Sequence, residues 1–363
     1  MYKVAVIGAS GFVGIETVRL LLAHPAFEPV AISSNADVGK TLGEVYPFFT
    51  GRTDLVFEKH ETVLKNAAEK YQLAFLTVPH TAALELVPEL LKQGVSVVDL
   101  SADFRLKEAA TYEAWYGLTH TAQEFLAQAV YGLPEVYRGE LTALANQRVS
   151  EQLPALVSNP GCYPTASVLA ALPLLKSALT DADDVVVINA ISGVSGAGKK
   201  LTETTNYCLA NENLNAYGAV THRHTPEIAQ TLSHLAGHTV SVQFTPHLAP
   251  LSRGMVSTVT MRLSKEAAKT ATAKTIYQLY EDAYAGEAFV HLMAPGTMPK
   301  SSHVKYSNYA HVGVAYDPST RMVIASCALD NIGKGAASQA IQNANILFSL
   351  DENTGLAHEG GIL

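Results

Sequence analysis

The sequence predicts an α/β fold, with a Rossmann-type, doubly wound parallel-sheet domain joined to an α+β domain built on a mixed sheet. Three observations predict it. Short apolar runs alternate with helical periodicity through the first part of the chain, and a glycine-spaced turn follows the first of those runs. From about Asp183 the pattern changes to β-rich segments interrupted by one helix. At 363 residues and 48% hydrophobic content, the chain is long enough to bury two cores.

Element by element, Val4 to Ile7 reads as a strand bounded by glycine, and Ile15 to Ala23 as a helix running to His24-Pro25. Glu28 to Ile32 and Leu73 to Val78 are further strands, the second ended by Pro79. Thr81 is a candidate cap for a helix over Ala82 to Lys92, which holds Pro88 and stops at Gly94. Val95 to Leu100 is another buried-strand run. In the later part, Val185 to Ala190, Thr239 to Thr245 and Met255 to Leu263 read as strands and Lys265 to Ala285 as one helix. A last helix over Asn331 to Leu350 could pack back on the first domain. The expected domains are therefore 1–160 with 331–363, for cofactor binding, and 161–330, for catalysis and substrate.

Composition excludes several classes. Net charge is −8, from 33 acidic against 25 basic side chains, with no basic stripe to suit a nucleic acid. No segment approaches about 18 consecutive apolar residues, so no membrane span is expected. The start, Met1-Tyr2-Lys3-Val4, goes straight into a strand and lacks the pattern of a secretory signal. Three cysteines, Cys162, Cys208 and Cys327, suit reduced thiols and a cytoplasmic location. No zinc-ligand spacing of cysteines and histidines is present, so no metal is expected.

The turn Gly8-Ala9-Ser10-Gly11-Phe12-Val13-Gly14 follows a strand and opens a helix. Glycines there permit a tight turn and close backbone approach, so a dinucleotide pyrophosphate can sit on the helix-start N–H groups. A free ribose 2′-hydroxyl would want an acid at the end of the next strand. That strand instead ends Ser33-Ser34-Asn35, with Lys40 nearby and Asp37 slightly late. Hydroxyls and a cation suit a 2′-phosphate, which favours NADP over NAD.

The strongest local signal is Ser158-Asn159-Pro160-Gly161-Cys162-Tyr163-Pro164-Thr165. Pro160-Gly161 forces a turn, and Pro164 suits the first position of a helix running to about Leu175. Cys162 then lies at or just before a helix N-terminus, whose partial positive charge favours the thiolate. The remaining two cysteines lack such a setting and read as structural. Candidate bases cluster at His222-Arg223-His224-Thr225-Pro226-Glu227, with His247 a third histidine. Arg105, after a predicted strand, and Arg253 are candidates for gripping a substrate anion. The loop Gly193-Val194-Ser195-Gly196-Ala197-Gly198-Lys199-Lys200 nearly matches a nucleoside-triphosphate loop, but Lys200 stands where the metal-binding hydroxyl belongs. It reads instead as a flexible segment near nicotinamide or substrate.

Together with Ser101-Ala102-Asp103-Phe104-Arg105, Thr245-Pro246-His247-Leu248 and Asp330-Asn331-Ile332-Gly333-Lys334-Gly335, these motifs closely resemble the N-acetyl-gamma-glutamyl-phosphate reductase family nearly end to end. The resemblance implies NADPH-dependent reduction of N-acetyl-L-glutamyl 5-phosphate to the 5-semialdehyde and phosphate, in arginine biosynthesis. It places the nucleophilic thiol on Cys162 and the acid/base role on His222, a protonated histidine assisting collapse to aldehyde. Substrate-binding candidates are Arg105, Asn159, Ser192, His224, Glu227 and Arg253. Cofactor candidates are Gly8, Ser10, Gly11, Phe12, Val13, Gly14, Ser33, Ser34, Pro79, Gly193, Gly196, Asn331 and Lys334. Backbone N–H groups at the cysteine helix start could hold an oxyanion. A homo-tetramer or homo-dimer is implied. A related acyl-phosphate reductase acting on an aminoadipyl or aspartyl substrate is the alternative.

Overall fold

The structure is a computed structural model that describes residues 1–65 and 67–356. Its residues group into two compact units, Met1–Pro160 with Ala336–Leu356, and Gly161–Gly335. Residues 331–335 thus group with the second unit, and 357–363 of the expected first domain lie outside the described residues.

The first unit is a seven-stranded parallel sheet. Its strands are β1 (Tyr2–Ile7), β2 (Phe27–Ser33), β3 (Phe57–Glu58), β4 (Leu73–Leu76), β5 (Ser96–Asp99), β6 (Ala129–Tyr131) and β7 (Leu156–Ser158), in the order β3-β2-β1-β4-β5-β7-β6. β4, β5 and the inner part of β1 are buried on both faces, which is why they read as continuous apolar runs. One face packs against the helices His60–Lys65 and Ala83–Lys92, through Val63, Val87 and Leu90 among others. On the other, the helix Ser338–Leu347 packs against the helices Phe12–Leu21 and Pro134–Ser150. The chain leaves β1 in one direction for β2 and β3, then returns to β4 on the other side. That reversal opens a crevice at the carboxyl ends of β1 and β4, the usual place for a ligand in such a sheet.

The second unit carries β8 (Val185–Gly193), β9 (Asn215–Ala216), β10 (Ser241–Ala249), β11 (Met255–Arg262), β12 (Val290–Leu292), β13 (Ala310–Asp317) and β14 (Met322–Leu329). Their order is β12-β13-β14-β11-β8-β10-β9, with β8–β10 and β12–β13 parallel and the other pairs antiparallel. The helix Cys162–Lys176 packs on β11 and β14 and against the helix His224–Ala236. Thirteen of its residues are buried, so it is a core helix rather than an amphipathic one.

Three local expectations are corrected. The segment 265–285 is not one helix: the α-helix is Ala273–Tyr284, because the Thr272 side chain accepts from Thr275 N and caps a new start. The last helix begins later than expected, as a π-helical turn Gly333–Ala337 leads into Ser338–Leu347. Thr81 does not cap the helix Ala83–Lys92; the Asp103 carboxylate does, accepting from Ala83 N at 3.2 Å. Among the described residues, no helix is long and apolar enough to cross a membrane.

Candidate functional site

In the first unit, the glycine turn sits at the carboxyl end of β1. Gly8 has φ +90°, and a Cβ there would lie 2.6 Å from Thr77 O. A Cβ on Gly14 would lie 2.6 Å from Gly8 O, so these two glycines are required by the close approach of turn, helix and β4. Gly11 differs: a Cβ there meets only Gly8 O, at 3.8 Å, which leaves its outer side open for a ligand. The helix it caps has no acidic residue in its first turn, so its N–H groups and dipole suit an anion. This arrangement fits a dinucleotide pyrophosphate. Phe12 is exposed at the first helical position and Val13 is half-buried. Pro79 is exposed just beyond β4, on the other side of the crevice.

The ends of β1 and β2 are tied by a hydrogen-bond chain. Ser10 Oγ donates to Ser34 Oγ at 2.8 Å, and Ser34 Oγ donates to Asp37, which pairs with Lys40 at 3.2 Å. Tyr46 donates from its hydroxyl to Ser10 O. Ser33 is fully buried with its hydroxyl on His60 Nδ1 at 2.7 Å, so its side chain serves the strand end. Tyr46 and His60 were missed in the sequence because their partners are distant in the chain.

Arg105 and Asn159 are joined in the same unit. Arg105 Nε donates to Asn159 O and its Nη2 to Leu100 O, both at 2.8 Å. The Asn159 amide is committed to the scaffold: Nδ2 donates to Ala336 O, and Oδ1 accepts from Asn343 Nδ2. Asp99, fully buried beside Asp103, has its carboxyl pushed up to about 7, mainly by desolvation.

In the second unit, Cys162 is the first residue of its helix, with Gly161 as the cap. Pro164 therefore occupies the third helical position rather than the first. Gly161 offers no capping side chain, and the Glu227 carboxylate, only 1% exposed, accepts from Gly161 N at 2.8 Å instead. Glu227 thus holds the chain just before the thiol, and the Gly161 amide is occupied. Gly335 backs the thiol, since a Cβ there would lie 2.8 Å from Cys162 Cβ.

His222 stands in an aromatic cage. The rings of Tyr163, Tyr217 and Phe244 lie 5.6, 5.4 and 5.4 Å from it in edge-on arrangements, and His224 lies at 4.9 Å. Burial in that cage, helped by the Arg223 charge, pushes its pKa down to about 4. That direction favours a neutral imidazole over the expected protonated one. Its Nδ1 accepts from His224 N at 3.1 Å, which leaves the ring proton on Nε2. Tyr163 donates to His247 O and accepts from the Tyr217 hydroxyl; burial raises both phenols' pKa values, so they stay protonated. The cage was invisible in the sequence, because it assembles residues from one helix, a loop and β10.

The remaining candidates lie in the second unit. Asn331 Oδ1 accepts from Gly254 N and its Nδ2 donates to Ser195 Oγ, while Gly193 N donates to Gly254 O. Arg253 pairs with buried Asp330 at 3.0 Å and lies over the Tyr306 ring. Ser192 Oγ donates to Gly193 O, and Lys334 is fully buried with its ammonium 5.7 Å from the Phe289 ring centre. Among the described residues, no group of three or more His, Cys, Asp or Glu could hold a metal.

Two family models match, "Semialdehyde dehydrogenase, NAD binding domain" over residues 3–144 and "Semialdehyde dehydrogenase, dimerisation domain" over residues 162–331. The chain is 43% identical to the N-acetyl-gamma-glutamyl-phosphate reductase of Pelotomaculum thermopropionicum, across 99% of this chain and 98% of that one. It is 42% identical to the enzyme of the same name from Desulforudis audaxviator, across 99% of each. Among solved structures, aspartate semialdehyde dehydrogenase II of Vibrio cholerae in complex with ASA superposes with a TM-score of 0.71 at 17% identity, covering 96% of this chain and 98% of that one. Aspartate semialdehyde dehydrogenase with NADP from Candida albicans gives 0.67 at 16% identity, covering 96% and 98%. The structures share the fold alone, whereas the two reductases match in sequence from end to end. The chain belongs to the N-acetyl-gamma-glutamyl-phosphate reductase family, within the semialdehyde dehydrogenases.

Proposed function

We propose that the chain reduces N-acetyl-L-glutamyl 5-phosphate to the 5-semialdehyde and phosphate through a thioester on Cys162. The observation that carries this reading is the thiol at the first position of a buried helix, set between the Glu227-held turn and Gly335. Thiolate attack on the acyl carbon expels phosphate and leaves a thioester, which accepts hydride far better than a carboxylate. The nicotinamide cofactor, when bound, supplies that hydride. Hydride addition gives a thiohemiacetal oxyanion, which collapses to aldehyde and returns the electron pair to the Cys162 sulfur. No net proton is needed in these two steps. His222 therefore serves as a neutral donor, hydrogen-bonding from Nε2 to the oxygen on which charge develops. Arg105 is assigned to the departing phosphate and the Gly8–Gly14 turn to the pyrophosphate.

NADP is favoured as the cofactor because β2 ends in Ser33-Ser34 rather than an acid, and Asp37 is neutralised by Lys40. The assembly is proposed to be a homo-dimer or homo-tetramer, supported by the matched dimerisation model and by a second sheet that carries Val187, Thr258 and Thr260 at incompletely buried positions. A cytoplasmic location goes with this reading. The test is phosphate-dependent reduction of NADP⁺ and of NAD⁺ with N-acetyl-L-glutamate 5-semialdehyde and with aspartate semialdehyde. The acetylated substrate with NADP⁺ should give the highest kcat/KM; preference for the free amine, or for NAD⁺, would overturn the assignment.

A further inference from the structure

Thr81 has φ +78°, a left-handed conformation that is costly for a β-branched residue. It directly follows Pro79-His80, in the exposed turn beyond β4. The group that holds it there is Asp103, which is fully buried. One carboxylate oxygen accepts from Thr81 N at 2.9 Å and from the Tyr112 hydroxyl at 2.8 Å; the other accepts from Ala83 N. Asp103 belongs to the loop that carries Arg105. Its own amide donates to Ser101 Oγ, which donates to Asp99, and its carbonyl oxygen accepts from His120 Nε2. A buried carboxylate thus ties a strained turn at the crevice to the loop that presents the arginine.

We propose that Asp103 is a positioning residue that fixes Thr81 in its left-handed conformation and so sets the Pro79–Thr81 turn on the cofactor side of the crevice, in register with the Arg105 loop. This rests on reading that turn as a cofactor contact. A helix cap alone would not need the strained residue, since Ala83 N could be capped without bending Thr81. The strain marks the turn, rather than the helix, as what the carboxylate maintains.

The test compares NADPH dissociation constants, turnover and thermal midpoints in the full chain. Asp103→Asn turns an amide N–H toward either Ala83 N or Thr81 N, and should weaken NADPH binding roughly tenfold or more, by the size of the released strain. Adding Thr81→Gly lets the turn take positive φ without a side-chain penalty. It should restore most of the NADPH affinity, while the thermal midpoint stays low because the other Asp103 bonds remain broken. Thr81→Pro, at an exposed position, forbids positive φ and should weaken NADPH binding with Asp103 intact. Wild-type affinity in Asp103→Asn or in Thr81→Pro, or no rescue by Thr81→Gly, would overturn the proposal. Gly11→Asp serves as the control on the cofactor site itself: if it leaves NADPH binding unchanged, the cofactor reading fails and the proposal with it.

Discussion

The neutrality of His222 makes a sharp kinetic prediction. Its cage of Tyr163, Tyr217 and Phe244 holds the pKa at about 4, against an ordinary value of 6.5. At pH 7 only about one molecule in a thousand then carries an imidazolium at this position. If hydride transfer required that imidazolium, its rate would rise about tenfold for each unit the pH fell from 7 toward 5. If His222 acts as a neutral donor, the rate is flat over that range as far as this group is concerned. The assay is single-turnover reduction of the preformed thioester, followed by NADPH absorbance between pH 5.5 and 8, with a deuterated cofactor to confirm that hydride transfer is observed. His222→Gln, which keeps an N–H donor, should retain more of this rate than His222→Ala. The alanine should lose about 10²–10³-fold, the usual cost of one oxyanion donor. A rate climbing tenfold per pH unit toward acid, or equal losses in the two variants, would refute the reasoning.

The other predictions concern the scaffold around the site. Gly335→Ala places a Cβ 2.8 Å from that of Cys162, so the thiol must move, and kcat/KM should fall about a hundredfold; circular dichroism checks that the fold survives. Glu227→Ala leaves the buried Gly161 amide unpaired and should cost about 1–3 kcal/mol of stability by urea unfolding, whereas Glu227→Gln keeps an acceptor and should cost less. Burial is the main cause lowering the pKa values of His24, His60, His222 and His311. Each binds a proton more readily unfolded than folded, so stability is full above about pH 6.5 and declines as the pH falls toward the depressed values. Urea midpoints at pH 8 and pH 5 measure this, and an unchanged midpoint would contradict it.

What the sequence showed and what it hid divide along chain distance. The glycine turn, the parallel first sheet and the placement of Cys162 at a helix start are local patterns, and the structure has them where periodicity and turn chemistry put them. Pro164 misled by two positions, since a proline is tolerated anywhere in the first turn and not only at its start. The helix over 265–285 was overextended because Thr272 looks like an ordinary helical residue until its side chain is seen to cap Thr275. The unreadable features are those made by partners far apart in sequence. Glu227 carried the right residue type for chemistry but is used on Gly161. Asp103, rather than the neighbouring Thr81, caps the helix after β4. The cage that neutralises His222 draws on Tyr163, Tyr217 and Phe244, whose apolar or aromatic character alone marks them only as core.

The central claim is that Cys162 becomes acylated. Enzyme mixed with N-acetyl-L-glutamyl 5-phosphate in the absence of NADPH, quenched in acid and examined by intact mass and peptide mapping, should carry an N-acetylglutamyl group on Cys162 alone. Adding NADPH before the quench should discharge it as aldehyde. Cys162→Ser should show no thioester and no phosphate-dependent oxidation of the semialdehyde, while still binding NADPH. Retained turnover in that variant, or acylation at another residue, would contradict the account.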